Sequence, residues 1–333
     1  MNTLDLLREK ADRIDARLRK TGIFAVVRHI EMAERHFQRG KETGDTDLFT
    51  DVVYRTNHAF EGILKEAYAI LADKDPAKER PYDIENYLAE NNVFQARVTE
   101  LFAHYRTKWR NPSTHDHLAS YTESEAFLSI LNVTAFVGIL MDQILERLTF
   151  DHERKKARDD ADALKNELQK HEGEPMIDRV TYMLQSFASH ASLSNADLNE
   201  TEMMAALRAF FESVAPNISV SQEPVIKDKM GTLRPDFLLQ EYEERLIVEV
   251  RRYRRWEKAI QRRIADKVRR YMDAAGARSG IILAVPTRDA EGGLRTQDAV
   301  LGEHLGPDRM LVTIYLRPGA KHSEKIASQG DEA

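Results

Sequence analysis

Apolar residues in the first 150 positions recur every three or four residues, the spacing of one face of an α-helix. Pro76 and Pro81 interrupt the series, because proline lacks an amide hydrogen and its ring clashes with the preceding turn. Thr122 and Glu125 have the spacing of a capping box that starts the last helix. The pattern predicts an up-and-down helical bundle over residues 1–150, with helices over 4–18, 23–41, 47–72, 94–109 and 122–148.

The pattern changes after residue 174. Helices are predicted over 176–189 and 200–214, and short β-branched runs predict strands at 218–226, 235–240, 245–251, 281–286 and 310–316. A basic helix over 256–275, ended by Gly276, separates the third strand from the fourth. The run at 246–250 is apolar except for Glu249, which is typical of a strand buried on both faces. This order predicts an α/β domain with a mixed central sheet.

Charge follows the same division. Residues 1–150 carry 20 basic and 24 acidic side chains, residues 151–174 carry 6 and 8, and residues 175–333 carry 23 and 23. The middle segment has few apolar residues and no turn signal before Gly173, so we expect a solvated helical linker there. The polar tail from Arg317 is expected to fray. The predicted fold class is α plus α/β, in two domains joined by this linker.

Composition narrows the possible functions. The chain of 333 residues is 42% hydrophobic, enough for packed cores. It has no cysteine, which excludes disulfides, thiolate zinc sites and cysteine nucleophiles. With no run of 18 apolar residues and a charged N-terminus, we expect a soluble cytoplasmic protein without membrane association. The net charge is −6, so any binding of nucleic acid must depend on a local basic patch.

The first chemical motif is Arg-Asn-Pro-Ser-Thr-His at 110–115. Arg110 is permanently charged and can bind a phosphate through two hydrogen bonds. His115 can transfer a proton near neutral pH, and Asn111 can position the phosphate. Together they suffice for RNA cleavage without a metal. The alternative is a structural cap in which His115 is hydrogen-bonded within the loop.

This motif, with the long helix after it and the helix around 54–68 before it, resembles the HEPN superfamily over residues 20–150. The resemblance implies a homodimer in which two copies of the motif form one metal-independent ribonuclease site that uses the ribose 2′-OH as nucleophile. It assigns catalysis to Arg110 and His115, with Asn111 in support; His117 also satisfies the looser spacing of the family. Some members of this superfamily bind nucleotides or protein partners and do not cut.

The second motif is a pair of carboxylates on neighbouring strands. Asp236 follows Pro235 at the start of one predicted strand, and Glu249 lies near the end of the next. Antiparallel pairing of these strands would bring the two side chains together. Carboxylate oxygens are suited to Mg²⁺ or Mn²⁺, which polarise a phosphodiester and activate water. A carboxylate inside an apolar strand is costly without a cation or hydrogen bonds.

Residues 198–316 resemble the PD-(D/E)xK restriction-endonuclease-like superfamily. The resemblance implies that Asp236 and Glu249 hold the metal and that Glu202 adds a ligand, with Glu200 and Glu212 as rivals. The lysine of the family motif is Arg251 here, and arginine does not readily lose a proton. We expect Arg251 to stabilise charge, and a lysine from elsewhere to complete the site, with Lys227, Lys229 and Lys258 as candidates. Otherwise the domain binds nucleic acid or nucleotide without cutting it.

Basic residues are concentrated beside this motif. Residues 250–271 contain ten Lys or Arg and two acidic residues, interleaved with aromatic rings. Such a segment can neutralise phosphates and stack on bases, so we assign nucleic-acid binding to Arg252, Arg254, Arg255, Lys258 and Arg262. The alternative is a solvated amphipathic helix, whose apolar stripe is Trp256, Ile260, Ile264 and Val268.

The sequence therefore predicts a nuclease that acts on RNA or DNA. The favoured activity is a metal-independent endoribonuclease of bacterial defence or toxin systems, with an activating or neutralising protein partner. One alternative is a Mg²⁺-dependent DNase of the C-terminal domain, in which the helical bundle only forms the dimer. The other is a sensor of nucleic acid or nucleotide that recruits a partner and does not cut.

Overall fold

The computed structural model describes residues 3–18, 21–111, 120–169, 171, 173–189, 198–229, 231–255, 257–287, 299–306 and 309–315. The chain divides into two compact units, Met1–Thr149 and Phe150–Ala333. The first is helical and the second combines helices with a mixed sheet, which agrees with the predicted fold class. The tail from residue 316 onward lies outside the described residues.

The helices of the N-terminal unit are α1 (Thr3–Asp15), α2 (Ile23–Thr43), α3 (Asp47–Leu71), α4 (Pro81–Glu90), α5 (Ala96–Tyr105) and the first part of α6 (Glu123–Gln169), which continues into the second unit. Helix α4 was missed because the sequence analysis took Pro81 only as a helix breaker. Pro81 is the first residue of α4, a position where proline is favoured because the missing amide hydrogen has no partner within the helix.

Helix α6 is longer than predicted. The capping box is confirmed: the Thr122 amide donates to Glu125 Oε2 at 2.8 Å, and the Glu125 amide donates to Thr122 Oγ1 at 3.3 Å. The helix does not end near Leu148 but continues to Gln169 and includes most of the predicted linker. The physical reason is that residues 149–169 contain no glycine or proline to stop it.

The core of the N-terminal unit is built around stacked aromatic rings. The ring of Phe60 on α3 lies 4.7 Å from that of Tyr105 and 5.1 Å from that of Phe136 on α6. All three side chains are fully buried. These contacts fix the end of α5 against α3 and α6.

The chain leaves α5 through a π-helical turn over Arg106–Arg110, where the sequence predicts α-helix to 109. The Asn111 amide donates to the Arg106 carbonyl, five residues back. Such wide turns are rare and occur frequently at functional sites. The turn brings Arg106 and Arg110 to the same neighbour, Glu85 on α4.

The C-terminal unit has helices α7 (Met176–Ser189), α8 (Glu200–Val214) and α9 (Lys258–Ala275). Its strands are β1 (Ser219–Gln222), β2 (Ile226–Asp228), β3 (Gly231–Leu233), β4 (Phe237–Glu241), β5 (Glu244–Tyr253), β6 (Ser279–Pro286), β7 (Ala299–Gly306) and β8 (Arg309–Tyr315). Six of them form one sheet in the order β1-β4-β5-β6-β8-β7. Strands β5, β6 and β8 are parallel and the other pairs are antiparallel, which confirms a mixed sheet.

Three details of the C-terminal prediction were wrong. The run 218–226 is not one strand, because Glu223 has a positive φ of 46° and Pro224 follows it; the run divides between β1 and β2. The small hairpin of β2 and β3, and strand β7, were not predicted. Helix α9 begins at Lys258, and Trp256 lies outside the described residues.

Helices pack on both faces of the sheet. One apolar cluster joins α7 and α8 to one face, and a second joins α9 to the other. A Cβ atom at Gly280 on β6 would lie 2.9 Å from Val268 Cγ1, so glycine allows the close approach of α9. Because Ile247 of β5 packs in the α9 cluster, Glu249, two residues later, faces α9 as well. Residues 246–250 are all buried, which confirms the strand predicted to be covered on both faces.

Within the described residues, one helical segment, Glu123–Lys156, is long and apolar enough to cross a membrane. Of its most apolar window, 61% is buried inside the protein, which is typical of the core helix of a soluble protein. The apolar segment is thus explained by the bundle core.

Candidate active site

The hairpin of β4 and β5 brings Asp236 and Glu249 together. In the antiparallel register Phe237 pairs with Val248, so Asp236 and Glu249 are the next residues along the two strands. The Val250 amide donates to Asp236 Oδ2 at 2.7 Å, and the Asp236 amide points at Glu249 Oε2 at 3.4 Å. The expected meeting of these two carboxylates, here called the carboxylate pair, is confirmed.

Glu249 is fully buried, and its charge is balanced by two cations. Its Oε1 accepts hydrogen bonds from the Arg251 guanidinium and from Lys267 Nζ, the latter at 2.8 Å. Taking a carboxylate out of water is costly unless it is paired and hydrogen-bonded in this way. The pairing explains how Glu249 is tolerated inside an apolar strand.

Lys267 comes from α9 and was not among the predicted candidates. The side chains of Lys227, Lys229, Lys258 and Lys267 are all exposed, but Lys267, which lies between the buried Ile264 and Tyr271 on α9, reaches Glu249. Its ammonium also lies 5.1 Å from the centre of the Tyr271 ring. A lysine at the edge of the apolar stripe of an amphipathic helix was the signal in the sequence that could have identified it.

The pKa values of Asp236 and Lys267 are both raised. Burial, followed by the negative charge of Glu249, raises the pKa of Asp236 to about 7. The hydrogen bond from the Val250 amide and the charges of Arg251 and Lys267 lower this pKa but do not offset the rise. Burial alone would lower the pKa of Lys267, but hydrogen bonds to Glu249 and Tyr271 raise it above its usual value. Lys267 therefore stays charged at neutral pH.

The carboxylate pair has the donor type that a hard divalent cation requires. Asp236 and Glu249 supply oxygen ligands, and Mg²⁺ is commonly held by one or two carboxylates together with water and substrate phosphate. A third protein ligand is not found: among the described residues, no group of three or more His, Asp or Glu side chains is placed to hold a metal ion. The two carboxylates therefore fit Mg²⁺ or Mn²⁺ as an incomplete set of ligands, which water and substrate phosphate would complete.

Glu202 has a structural role instead of the predicted metal-binding one. Its Oε2 accepts the Asn199 amide at 2.8 Å, and its own amide donates to Asn199 Oδ1 at 2.9 Å, so the two residues form the capping box of α8. Of its rivals, Glu212 pairs with Arg208 at 2.8 Å and Glu200 is exposed. Capping and metal-binding glutamates cannot be told apart by their sequence position alone.

A basic cleft opens beside the carboxylate pair. It measures about 870 Å³ and is lined by Arg251, Arg252, Tyr253, Arg254, Arg255, Ile260, Arg263, Ile264 and Lys267. Three of the five predicted nucleic-acid-binding residues line it: Arg252, Arg254 and Arg255. Lys258 and Arg262 are exposed on α9 and do not line the cleft; Arg263 and Lys267 do. The Nε of Arg252 is buried and has no hydrogen-bond partner within the described part of the chain.

Arg110 lies in a different cluster, in the N-terminal unit. Its Nε is 3.1 Å from Oε1 of Glu85, and Nε of Arg106 is 3.0 Å from the other oxygen of the same carboxylate. Glu85 is 1% exposed and Arg110 is 9% exposed. Burial raises the pKa of Glu85, and the charges of Arg110 and Arg106 oppose this rise. In this structure the Arg110 guanidinium is held by Glu85, which the sequence analysis did not consider.

The rest of the first motif is only partly described. Asn111 is exposed at the end of the π-helical turn. His115 and His117 lie outside the described residues, together with 112–114. The predicted pairing of Arg110 with a histidine therefore stays a prediction.

The chemistry assigned to this protein depends on these side chains and the contacts around them. The resemblances to the HEPN and PD-(D/E)xK superfamilies stay predictions based on the motifs. The chain matches no protein-family model, no curated protein and no solved structure at a significant level.

Proposed function

We propose that this protein is a nuclease whose C-terminal unit hydrolyses phosphodiester bonds with Mg²⁺ or Mn²⁺ at Asp236 and Glu249. The observation that carries the proposal is the contact between Lys267 and buried Glu249, next to Asp236. Two carboxylates and a lysine are the set that the PD-(D/E)xK resemblance implies. Lys267 supplies from α9 the lysine that position 251 lacks.

The metal, when bound, polarises the phosphodiester and activates a water molecule. Lys267 is charged at neutral pH, so its role is to stabilise negative charge on the phosphate and not to act as a base. Arg251 has the same limitation because a guanidinium does not readily lose a proton. The Val250 amide fixes the orientation of the Asp236 carboxylate.

The substrate is RNA or DNA, bound along the basic cleft. The arginines of the cleft neutralise backbone phosphates without reading the bases. Tyr253 lines the cleft but is buried, so binding there depends more on charge than on stacking. The cleft therefore favours a polyanionic substrate over a small neutral one.

Cleavage of labelled single- and double-stranded RNA and DNA, with Mg²⁺, Mn²⁺ or EDTA, tests this proposal. We expect cleavage that needs the metal and is lost in Asp236→Asn and Lys267→Met. Arg269→Gln is the matched control, since Arg269 lies on the same helix but pairs with Glu303, away from the cleft. Metal-dependent cleavage that survives Asp236→Asn would reject this site.

A metal-independent ribonuclease at Arg110 and His115 is the second candidate. It is favoured by the π-helical turn, which ends at Arg110, the first residue of the motif, and directs Arg106 and Arg110 toward the carboxylate of Glu85. Cleavage of RNA in EDTA, with a 2′,3′-cyclic phosphate product that disappears in His115→Ala, would support it. The composite site also requires a homodimer, which sedimentation of the purified chain would detect.

The defence or toxin role and the activating or neutralising partner follow from the family resemblances alone, and the cytoplasmic location follows from the charge and hydropathy of the sequence; all stay predictions. Co-expression with neighbouring gene products, scored for relief of toxicity, tests the role and the partner together. If neither site supports cleavage, the sensor alternative takes their place.

A further inference from the structure

The charge of Glu249 is already balanced within the protein. Its Oε1 accepts from both Arg251 and Lys267, while Oε2 faces the Asp236 amide. With Asp236 ionised, two carboxylates and two cations give the cluster no net charge. A divalent metal would add positive charge to a neutral cluster, and its ligand oxygen, Oε1 of Glu249, already accepts two hydrogen bonds. Metal binding to the free protein is therefore opposed by the cations that stabilise Glu249.

Arg251 belongs to the basic cleft as well as to this ion pair. Its side chain is 29% exposed and lines the cleft with four further arginines. A nucleic-acid phosphate presents two oxygens in the geometry that a guanidinium binds best. Bound phosphate and Glu249 are therefore competing partners for the same guanidinium.

We infer that Arg251 couples the binding of nucleic acid to the binding of metal at the carboxylate pair. A phosphate in the cleft draws Arg251 from Glu249, and this vacates one of the two acceptor positions of Oε1 for the metal, while Lys267 keeps the other. Lys267 stays on Glu249, so the buried carboxylate is never left unpaired. This inference rests on the proposed function. It adds that the metal site is weak in the free protein and is completed by the substrate.

Thermodynamic linkage makes the effect reciprocal. If nucleic acid raises metal affinity by some factor, metal raises nucleic-acid affinity by the same factor. Couplings of this kind amount to about 10-fold in affinity. In the absence of nucleic acid, the metal would then occupy few of the protein molecules. Cleavage would be confined to complexes in which the nucleic-acid backbone is already bound.

The test is the affinity for Mn²⁺, measured from the free-ion electron paramagnetic resonance signal with and without a short phosphorothioate DNA that resists cleavage. Binding of Mn²⁺ to the DNA alone is subtracted. We expect the DNA to raise the affinity of the wild-type protein by about 10-fold. In Arg251→Gln, Mn²⁺ should bind about 10-fold more tightly without DNA, and the DNA should add nothing.

Two comparisons make the result specific. Arg269→Gln removes the same charge from α9 outside the cleft and should keep the wild-type coupling. Arg251→Lys keeps the charge without the planar fork and should show a reduced coupling. Thermal unfolding of each variant checks that it is folded. Wild-type affinity and full coupling in folded Arg251→Gln would overturn the inference.

Asp236→Asn separates this inference from the proposed function. If Asp236→Asn loses Mn²⁺ binding while Arg251→Gln keeps the coupling, the metal site stands and the role of Arg251 is rejected. If Asp236→Asn binds Mn²⁺ as the wild type does, the proposed metal site is rejected, and the inference is rejected with it. An equal Mn²⁺ affinity of the wild type with and without DNA rejects the coupling alone.

Discussion

Lys267 Nζ lies 2.8 Å from Oε1 of Glu249, so a helix and a strand share one ion pair whose carboxylate is fully buried. The two residues are 18 positions apart in the chain. Their contact joins the packing of α9 to the geometry of the carboxylate pair. A change in either residue should therefore affect stability and catalysis together.

Replacing Lys267 with methionine should cost about 1–3 kcal/mol of unfolding free energy, because Glu249 loses one of its two cationic partners. Cleavage with Mg²⁺ should be lost, since the phosphate charge is no longer stabilised. Lys267→Arg should keep most of the stability. Urea denaturation of these variants measures the cost. In Lys267→Met/Glu249→Gln the cost should be smaller than the sum of the single changes; simple additivity would contradict the ion pair.

Asp236 should make stability depend on pH. Its pKa of about 7 in the folded protein lies above the ordinary value of 3.8, so the folded state binds the proton more tightly than the unfolded state. The contribution of this group to stability therefore falls as pH rises from about 4 to about 7. Asp236→Asn removes the penalty and keeps an acceptor for the Val250 amide.

We expect Asp236→Asn to be more stable than the wild type by on the order of 2 kcal/mol at about pH 8, with the difference vanishing near pH 4. Thermal melts across this pH range measure it. With the phosphorothioate DNA bound, Mg²⁺ should raise the melting temperature of the wild type and leave that of the variant unchanged. A variant less stable than the wild type at high pH would show that burial and the charge of Glu249 do not disfavour the ionised form of Asp236.

The sequence predicted the carboxylate pair because its two residues lie on strands that follow each other in a hairpin. Pairing of two strands that are adjacent in the chain is enough to bring the two carboxylates together. Lys267 was not predicted because its meeting with Glu249 depends on the rotation of α9 over the sheet, which is set by long-range packing at Val268 and Gly280. The same rotation places Arg263 on the cleft, where the charge pattern alone suggested Arg262.

The N-terminal site was only half predictable for a related reason. The motif identifies Arg110, but nothing near it in the sequence indicates that Glu85 binds its guanidinium. Helix α4, which carries Glu85, was read as a break at Pro81. The π-helical turn that aims Arg106 and Arg110 at one carboxylate has no established sequence signal that would separate it from an ordinary helix end.

Glu85 should be essential to the stability of the N-terminal unit. Glu85→Ala leaves the buried Arg110 and its neighbour Arg106 without their shared carboxylate, so we expect a loss of about 3 kcal/mol. Glu90→Ala on the same helix is the control, because Glu90 is exposed and should change stability by less than about 0.5 kcal/mol. Chemical denaturation followed by circular dichroism compares them. Equal stability of the two variants would mean that the Arg–Glu cluster is not a structural element.

The basic cleft predicts which arginines bind nucleic acid. Arg263 lines the cleft, whereas Arg269, on the same helix, pairs with Asp266 and Glu303 outside it. If the cleft neutralises backbone phosphates, Arg263→Ala removes one phosphate contact. The slope of log affinity against log salt concentration should then fall by about 1. Fluorescence anisotropy with a labelled oligonucleotide, repeated over a range of salt, gives this slope.

Arg269→Ala removes the same net charge, so the two variants differ only in where the charge is lost. Equal slopes would mean that binding responds to the overall charge of the unit, and the cleft would then lose its assignment as the binding surface.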